Sequence, residues 1–244
     1  MGVRTAVVTL LVLTLCCCTR EKNKADEALD QARQFTAEGK FQEALERHIW
    51  YHNHALEISP SHYGVRLSFA LADWVELGKK YPKALKALRD IRDEKTARLV
   101  AGEANRPLFH DVVSINEEIG ESGATVQAFK KIQSAQPAFA PSIADLADKA
   151  LFDSKECELE KKYLGDPFAR FDTAKHTLDF GIEYAKTRGA AGRSRQAFEN
   201  NFSRDVVRLI VVLDKTGDRD VARQIQEKAL AACNSAAIKT ALTE

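Results

Sequence analysis

Proline and glycine are scarce in this chain, with six and twelve residues among 244. Both interrupt helices, and their scarcity combines with plentiful Ala, Leu, Glu, Lys, Arg and Gln, which lose little rotamer freedom on entering a helix. The composition therefore points to a mostly helical protein. An excess of charge is also missing: 36 Lys and Arg stand against 35 Asp and Glu, so no large net field draws the chain to nucleic acid or anionic lipid. Cysteine is sparse and uneven. Of five residues, Cys16, Cys17 and Cys18 are clustered near the start. The remaining two, Cys157 and Cys233, make no disulfide framework and belong to no Cys-x-x-Cys or Cys/His group of metal spacing. Catalytic signatures are lacking as well: there is no glycine-rich phosphate loop, no Gly-x-Ser-x-Gly elbow and no kinase-like set. The sequence offers no catalytic residue and implies no cofactor.

What is present begins with an export signal. A positive start at Met1 and Arg4 leads into the apolar run Ala6 to Leu15, then the cysteines, then the charged stretch Arg20, Glu21, Lys22. The run falls short of the roughly 20 residues of a spanning helix, so residues 1–18 read as a removable signal and are set apart from the fold. The ending Leu13-Thr14-Leu15-Cys16-Cys17-Cys18 resembles a bacterial lipoprotein signal, in which a cysteine after a Leu-x-small tripeptide is lipidated. Cys16 has Leu13 and Thr14 at suitable distances but bulky Leu15 before it; Cys18 has Leu15 correctly placed and small Cys17 before it. Lipidation at Cys16 or Cys18 would leave a lipoprotein of the cell envelope. Ordinary cleavage near Cys18 would leave a periplasmic or secreted protein.

Beyond the signal, apolar residues recur at helical spacing and fall into pairs. Ala28, Leu29, Ala32 and Phe35 precede Gly39; Phe41, Ala44, Leu45, Ala55, Leu56 and Ile58 follow it and stop at Pro60. A second pair reads as Ser61 to Leu77, burying Val65, Phe69, Leu71 and Trp74, then a turn at Gly78 to Lys80, then a helix from Pro82 through Ile91. Pro107 to Glu121 pairs with Ala124 to Ala135 across Gly123. Val206, Val207, Ile210, Val211 and Leu213 precede Gly217, with Ala222 and Ala229-Leu230 beyond. Between these pairs lie helices from Ser142 to Tyr163 and from Phe171 to Thr187, separated by Gly165-Asp166-Pro167. About ten or eleven helices are expected, with repeats over 22–135 and a helical region over 142–233.

The spacing of Gly39, Phe41, Ala44, Ala55, Leu56 and Pro60, the spelling Trp74-x-x-Leu77-Gly78-x-x-Tyr81, and the interval from Gly217 to Ala222 and Ala229 resemble the tetratricopeptide repeat. The resemblance implies an all-α solenoid of stacked antiparallel helix pairs that acts as a protein-binding scaffold. In that family the first helix of each pair lines a groove, which implies partner contacts at Arg33, Ser68, Glu76, Arg204 and Asp214. Trp50 and Tyr51, in the aromatic stretch from His48 to Tyr63, are further candidates for a partner anchor. His48 and His52 share one helix face at a spacing that zinc uses, which suggests the alternative of a metal-dependent or substrate-binding enzyme subunit. Without a following Glu, the pair reads instead as surface or interface residues. Asp145 and Asp148 read as solvated surface. The arginines Arg188, Arg193 and Arg195 lack interleaved aromatics and make no nucleic-acid patch.

Overall fold

The computed structural model describes residues 23–187 and 191–242, the side chains of 191–193 excepted. The signal segment 1–18 with Cys16 and Cys18, together with the side chains of Arg188 and Arg193, lies outside the described residues. Among those described, the chain forms thirteen α-helices and two short 3-10 turns and has no strand. The all-helical reading is borne out. The excess over ten or eleven comes from short helices that the sequence reading had merged with their neighbours or left out. Contacts divide the chain into two compact units that meet in sequence at Arg66 and Leu67.

Unit 1 is a helical hairpin with a short extension. Helix α1 (Lys24–Ala37) starts at Asn23, whose side chain accepts hydrogen bonds from the amides of Ala25 and Asp26, both 3.0 Å, and Asp26 and Glu27 complement the positive end of the helix dipole. It ends at Gly39, whose φ of +76° is left-handed, and the Lys40 amide reaches back to Phe35 O at 2.9 Å, the bond that closes a Schellman turn. Helix α2 (Phe41–Ile58) then packs on α1. Ala25, Ala28 and Ala32 of α1 and Ala44 and Ala55 of α2 are all buried, and such small side chains let two packed backbones approach. A 3-10 turn at Pro60–His62 and helix α3 (Tyr63–Arg66) fold back onto α2.

Unit 2 opens with α4 (Phe69–Lys80) and α5 (Pro82–Val100). The expected helix from Ser61 to Leu77 is broken at Leu67 and Ser68, and Phe69, expected inside, is 69% exposed. Gly78 lies inside α4 and is not part of the turn. Its role is close approach: a Cβ there would sit 2.4 Å from Leu85 Cγ on α5. Pro82 takes the first position of α5, where its missing N–H costs nothing. Trp74 donates its indole N–H to Ala84 O at 3.0 Å, fixing the pair from within.

Helices α6 (Arg106–Glu118), α7 (Ser122–Ala135), α8 (Ala144–Asp153) and α9 (Cys157–Tyr163) continue the series. The turn between α6 and α7 is at Gly120, φ +75°, while Gly123 sits in the first turn of α7. The single helix expected from Ser142 to Tyr163 is divided by Lys155, the one described non-glycine residue with positive φ (59°). From α4 to α9 each helix packs on the next, and α4, α5 and α6 also pack on α6, α7 and α8 respectively. These are the contacts of stacked antiparallel pairs in a solenoid-like series. Phe109, Phe129, Ile132 and Leu151 are buried in their core, each stabilising it by about 1.5–3 kcal/mol relative to exposure.

Helices α10 (Pro167–Thr187), α11 (Ala191–Lys215), α12 (Arg219–Ala232) and α13 (Ala236–Thr240) form a second core around Phe171, Phe202, Ile210 and Ile225. Gly217, φ +89°, turns α11 into α12. Helix α11 also packs on α9, so it joins this group to the preceding series.

Candidate functional site

The residues singled out from sequence are placed differently from one another. Arg33, on α1, is exposed beside Asp30 at 3.6 Å. Trp50 is half-buried with its ring tilted 38° against His54. Tyr51 is 1% exposed and so is part of the interior, not an anchor offered to a partner. Ser68 is exposed at the start of α4. Glu76, exposed on the same helix, pairs with Lys79. Arg204 is exposed on α11 beside Asp205 at 3.4 Å, and Asp214 pairs with Arg219 at 3.4 Å.

The histidines are interior, which corrects their reading as surface or interface residues: His48, His52 and His62 are 1%, 4% and 6% exposed. The cause is local. Helix α2 turns this face toward the returning turn and α3, so the three rings are core residues, and those of His52 and His62 hydrogen-bond there. The Arg66 guanidinium donates to His52 Nε2 at 3.3 Å. His62 Nδ1 and Tyr51 Oη are 3.1 Å apart, and the Asn23 amide lies 3.3 Å from His62 Nε2. Burial, reinforced by the nearby Asp26 charge, pushes the Tyr51 phenol up to about 12. Among the described residues no group of three or more His, Cys, Asp or Glu is gathered for a metal ion.

The sequence reading missed the most unusual chemical environment, which lies in unit 2. A cleft of about 660 Å³ is enclosed by α8, α9, α10 and α11. Helix α8 contributes Asp145 and Asp148, α9 contributes Glu160, α10 contributes Arg170 and Phe171, and α11 contributes Phe198, Phe202 and Arg208. Asp148, expected at the surface, is 6% exposed because it shares the buried face of α8 with Ala144 and Leu151. Its carboxylate is held by Arg170 at 2.5 Å. Asp145 is held by both terminal nitrogens of Arg106, each at 2.6 Å, and this pairing pulls its carboxyl below the usual range.

Glu160 differs from these acids. It is 1% exposed and no protein group hydrogen-bonds its Oε2. Burial, and after it the Asp148 charge, pushes the carboxyl up to about 8 against the pull of Arg208 and Arg170. Asp148 is raised for the same first reason. The Arg208 guanidinium lies 5.9 Å from the Phe152 ring centre, and its Nε is buried without a hydrogen bond. A concave site with apolar walls and a few converging polar groups, one of them strongly perturbed, is the usual form of a ligand pocket. Periodicity held the signal for it: Glu160 is four residues from buried Leu164, on the inward stripe of its helix.

Cys157 and Cys233 are both free and half-buried, with thiols raised chiefly by burial, which makes them poor nucleophiles. On the outer side of α10, Phe180 and Tyr184 are 64% and 45% exposed and stack at 6.3 Å. In comparisons with protein-family models, curated proteins and solved structures, nothing matches this chain.

Proposed function

We propose that the chain is an exported tetratricopeptide-like scaffold of the bacterial cell envelope, held at the membrane by a lipid on Cys16 or Cys18, that binds other proteins and performs no catalysis of its own. The observation that carries this reading is the stacking of α4 to α9, in which each helix packs on the next and three pack on the next but one. Such stacks generate extended surfaces suited to holding partners. The glycine turns at Gly39, Gly120 and Gly217 and the close approach at Gly78 support it, since they build the repeated helix–turn–helix unit. Arg33, Ser68, Glu76, Arg204 and Asp214 are the polar contacts this reading assigns to partners. We rank the histidine-based enzyme alternative second, because His48, His52 and His62 are buried in unit 1.

Affinity capture from native membranes, followed by identification of co-purifying proteins, tests the proposal. A specific partner should be retained by the parent chain and lost when Glu76 and Asp214 are both changed to Lys. Failure to retain any partner, or retention indifferent to these reversals and to reversal of Arg204, overturns the assigned surface.

A further inference from the structure

We propose that the cleft between α8, α9, α10 and α11 binds an alkylammonium group on an apolar stem, the nitrogen donating to the Glu160 carboxylate and the stem lying against Phe198 and Phe202. This site is separate from the partner surface above and stands or falls independently of it.

The sign of the ligand follows from which charges are already engaged. Asp145 is committed to Arg106 and Asp148 to Arg170. Asp166 accepts the Phe168 amide at 2.9 Å. Glu160 Oε2, by contrast, has no hydrogen-bonding partner although the residue is 1% exposed. Leaving a buried acceptor without a donor costs about 1–3 kcal/mol, and an ammonium N–H supplies the donor in its strong, charge-assisted form. Five carboxyl residues line the cleft (Asp145, Asp148, Glu160, Asp166 and Asp205), against two arginines and no lysine. Counting Arg106 and Arg204, which pair with Asp145 and Asp205, the acids outnumber the arginines by one when Glu160 is ionised, and a carboxylate ligand would add to that excess. An ammonium would meet opposite charge, and aromatic faces that attract cations.

The walls select for an apolar stem. Phe171, Leu178, Phe198, Phe202 and Leu209 line the cleft, so a hydrated metal ion or a bare ammonium ion would leave them uncovered. The shared chemistry is that of a free primary amine with an alkyl or aryl body and of a lysine side chain presented by a protein.

Binding is coupled to a proton. The groups facing Glu160 are Asp148 and Asp153 of α8 and the guanidiniums of Arg170 and Arg208. With its carboxyl pushed up to about 8, Glu160 is largely protonated at neutral pH, and a bound ammonium must drive that proton into solvent. Affinity therefore rises by about tenfold per pH unit below pH 8 and levels off above it.

The test is calorimetric titration of the full chain at several pH values, in buffers of different ionisation heat. The probes are phenylethylamine, a blocked Ala-Lys-Ala peptide and phenylpropionate. Phenylethylamine should bind with release of about one proton near neutrality, and phenylpropionate should bind at least tenfold more weakly. Tighter binding of the peptide would assign the site to a protein lysine; tighter binding of phenylethylamine would assign it to a free amine. Glu160→Gln should weaken phenylethylamine by tenfold or more and abolish proton release while keeping the helical spectrum. Lys131→Gln, exposed on α7 and outside the cleft, should leave binding unchanged. Absence of binding by both cations, stronger binding of phenylpropionate, or a Glu160→Gln chain that binds phenylethylamine as the parent does would each overturn the proposal.

Discussion

Gly217→Val isolates the cost of a single backbone angle. The residue sits at φ +89°, and a Cβ built on it meets nothing within 4 Å, so a larger side chain adds strain without a clash. A residue with a β-carbon loses about 1–2 kcal/mol in the left-handed region, and valine, branched at that carbon, loses more. The turn closes through Asp218 N to Leu213 O at 2.8 Å, and on its closure depends the burial of Ile210 and Leu213 against Ala222, Ile225 and Ala229. For a chain of this size each kcal/mol lowers the melting temperature by about 2–4 °C, so Gly217→Val should melt at least that much earlier by far-ultraviolet circular dichroism. Lys215→Val, exposed on the last turn of α11, gives up helix propensity and a favourable dipole contact, together below about 1 kcal/mol, and meets no left-handed backbone angle. Lys155→Gly is the reciprocal case. At φ 59° glycine relieves strain, and the melting temperature should rise by a few degrees, on the order of 1 kcal/mol. Equal destabilisation by Gly217→Val and Lys215→Val would refute the reasoning.

Gly78→Ala should destabilise by about 1–3 kcal/mol because its Cβ would meet Leu85 Cγ at 2.4 Å; part of the loss should return in the Gly78→Ala/Leu85→Ala double variant, and thermal melts of both decide it. Glu160 has a folded-state value of about 8 against 4.5 for the free side chain, so the native chain keeps a proton that the unfolded chain releases. Its stabilising contribution is fully present below about 4.5 and is lost as pH rises through 8. Glu160→Gln should accordingly gain stability relative to the parent across that window, whereas parallel melting curves would contradict the placement. Tyr51→Phe removes the hydroxyl beside His62 Nδ1 and should cost about 1–3 kcal/mol in chemical denaturation; no change would mean that the contact contributes nothing. Replacing Cys16, Cys17 and Cys18 together by Ser should release the protein from membranes or block its processing, and identical fractionation and migration of variant and parent would remove the lipoprotein reading.

Helix identity was legible in the sequence because apolar spacing and glycine punctuation agree. Gly39 and Gly217 end helices at the expected places, and Pro82 opens one. Legibility failed where tertiary contact overrides the local signal. Lys155 takes a left-handed angle that lysine does not advertise, so the break before α9 was invisible. Gly78, four residues before Pro82, looked like a turn, yet it is needed for its missing side chain against Leu85. Gly123 read as the turn between α6 and α7, but the left-handed angle is at Gly120 and the bond from Glu121 N to Asn116 O, 2.7 Å, closes the turn there. At the cleft, a carboxylate is ordinarily a surface residue, and that expectation concealed Asp148 and Glu160 even though both keep step with buried Leu151 and Leu164. The arginines that make such burial tolerable come from helices well separated in sequence: Arg170 on α10 and Arg208 on α11.

The reach of α11 across to α9 sets an order of events when the chain is delivered N-terminus first. Helices α4 to α8 each meet a neighbour as soon as the next helix emerges, so their contacts form between segments close in sequence and need little loop closure. Helix α9 can dock on α8 early, but its other partner, α11, begins at Ala191 and ends at Lys215. Until that helix arrives, Glu160 lacks one wall of its enclosure and remains an ordinary hydrated acid. The proton is therefore taken up late in assembly, and refolding in a lightly buffered solution with a pH indicator should show proton uptake lagging behind the gain of helical signal.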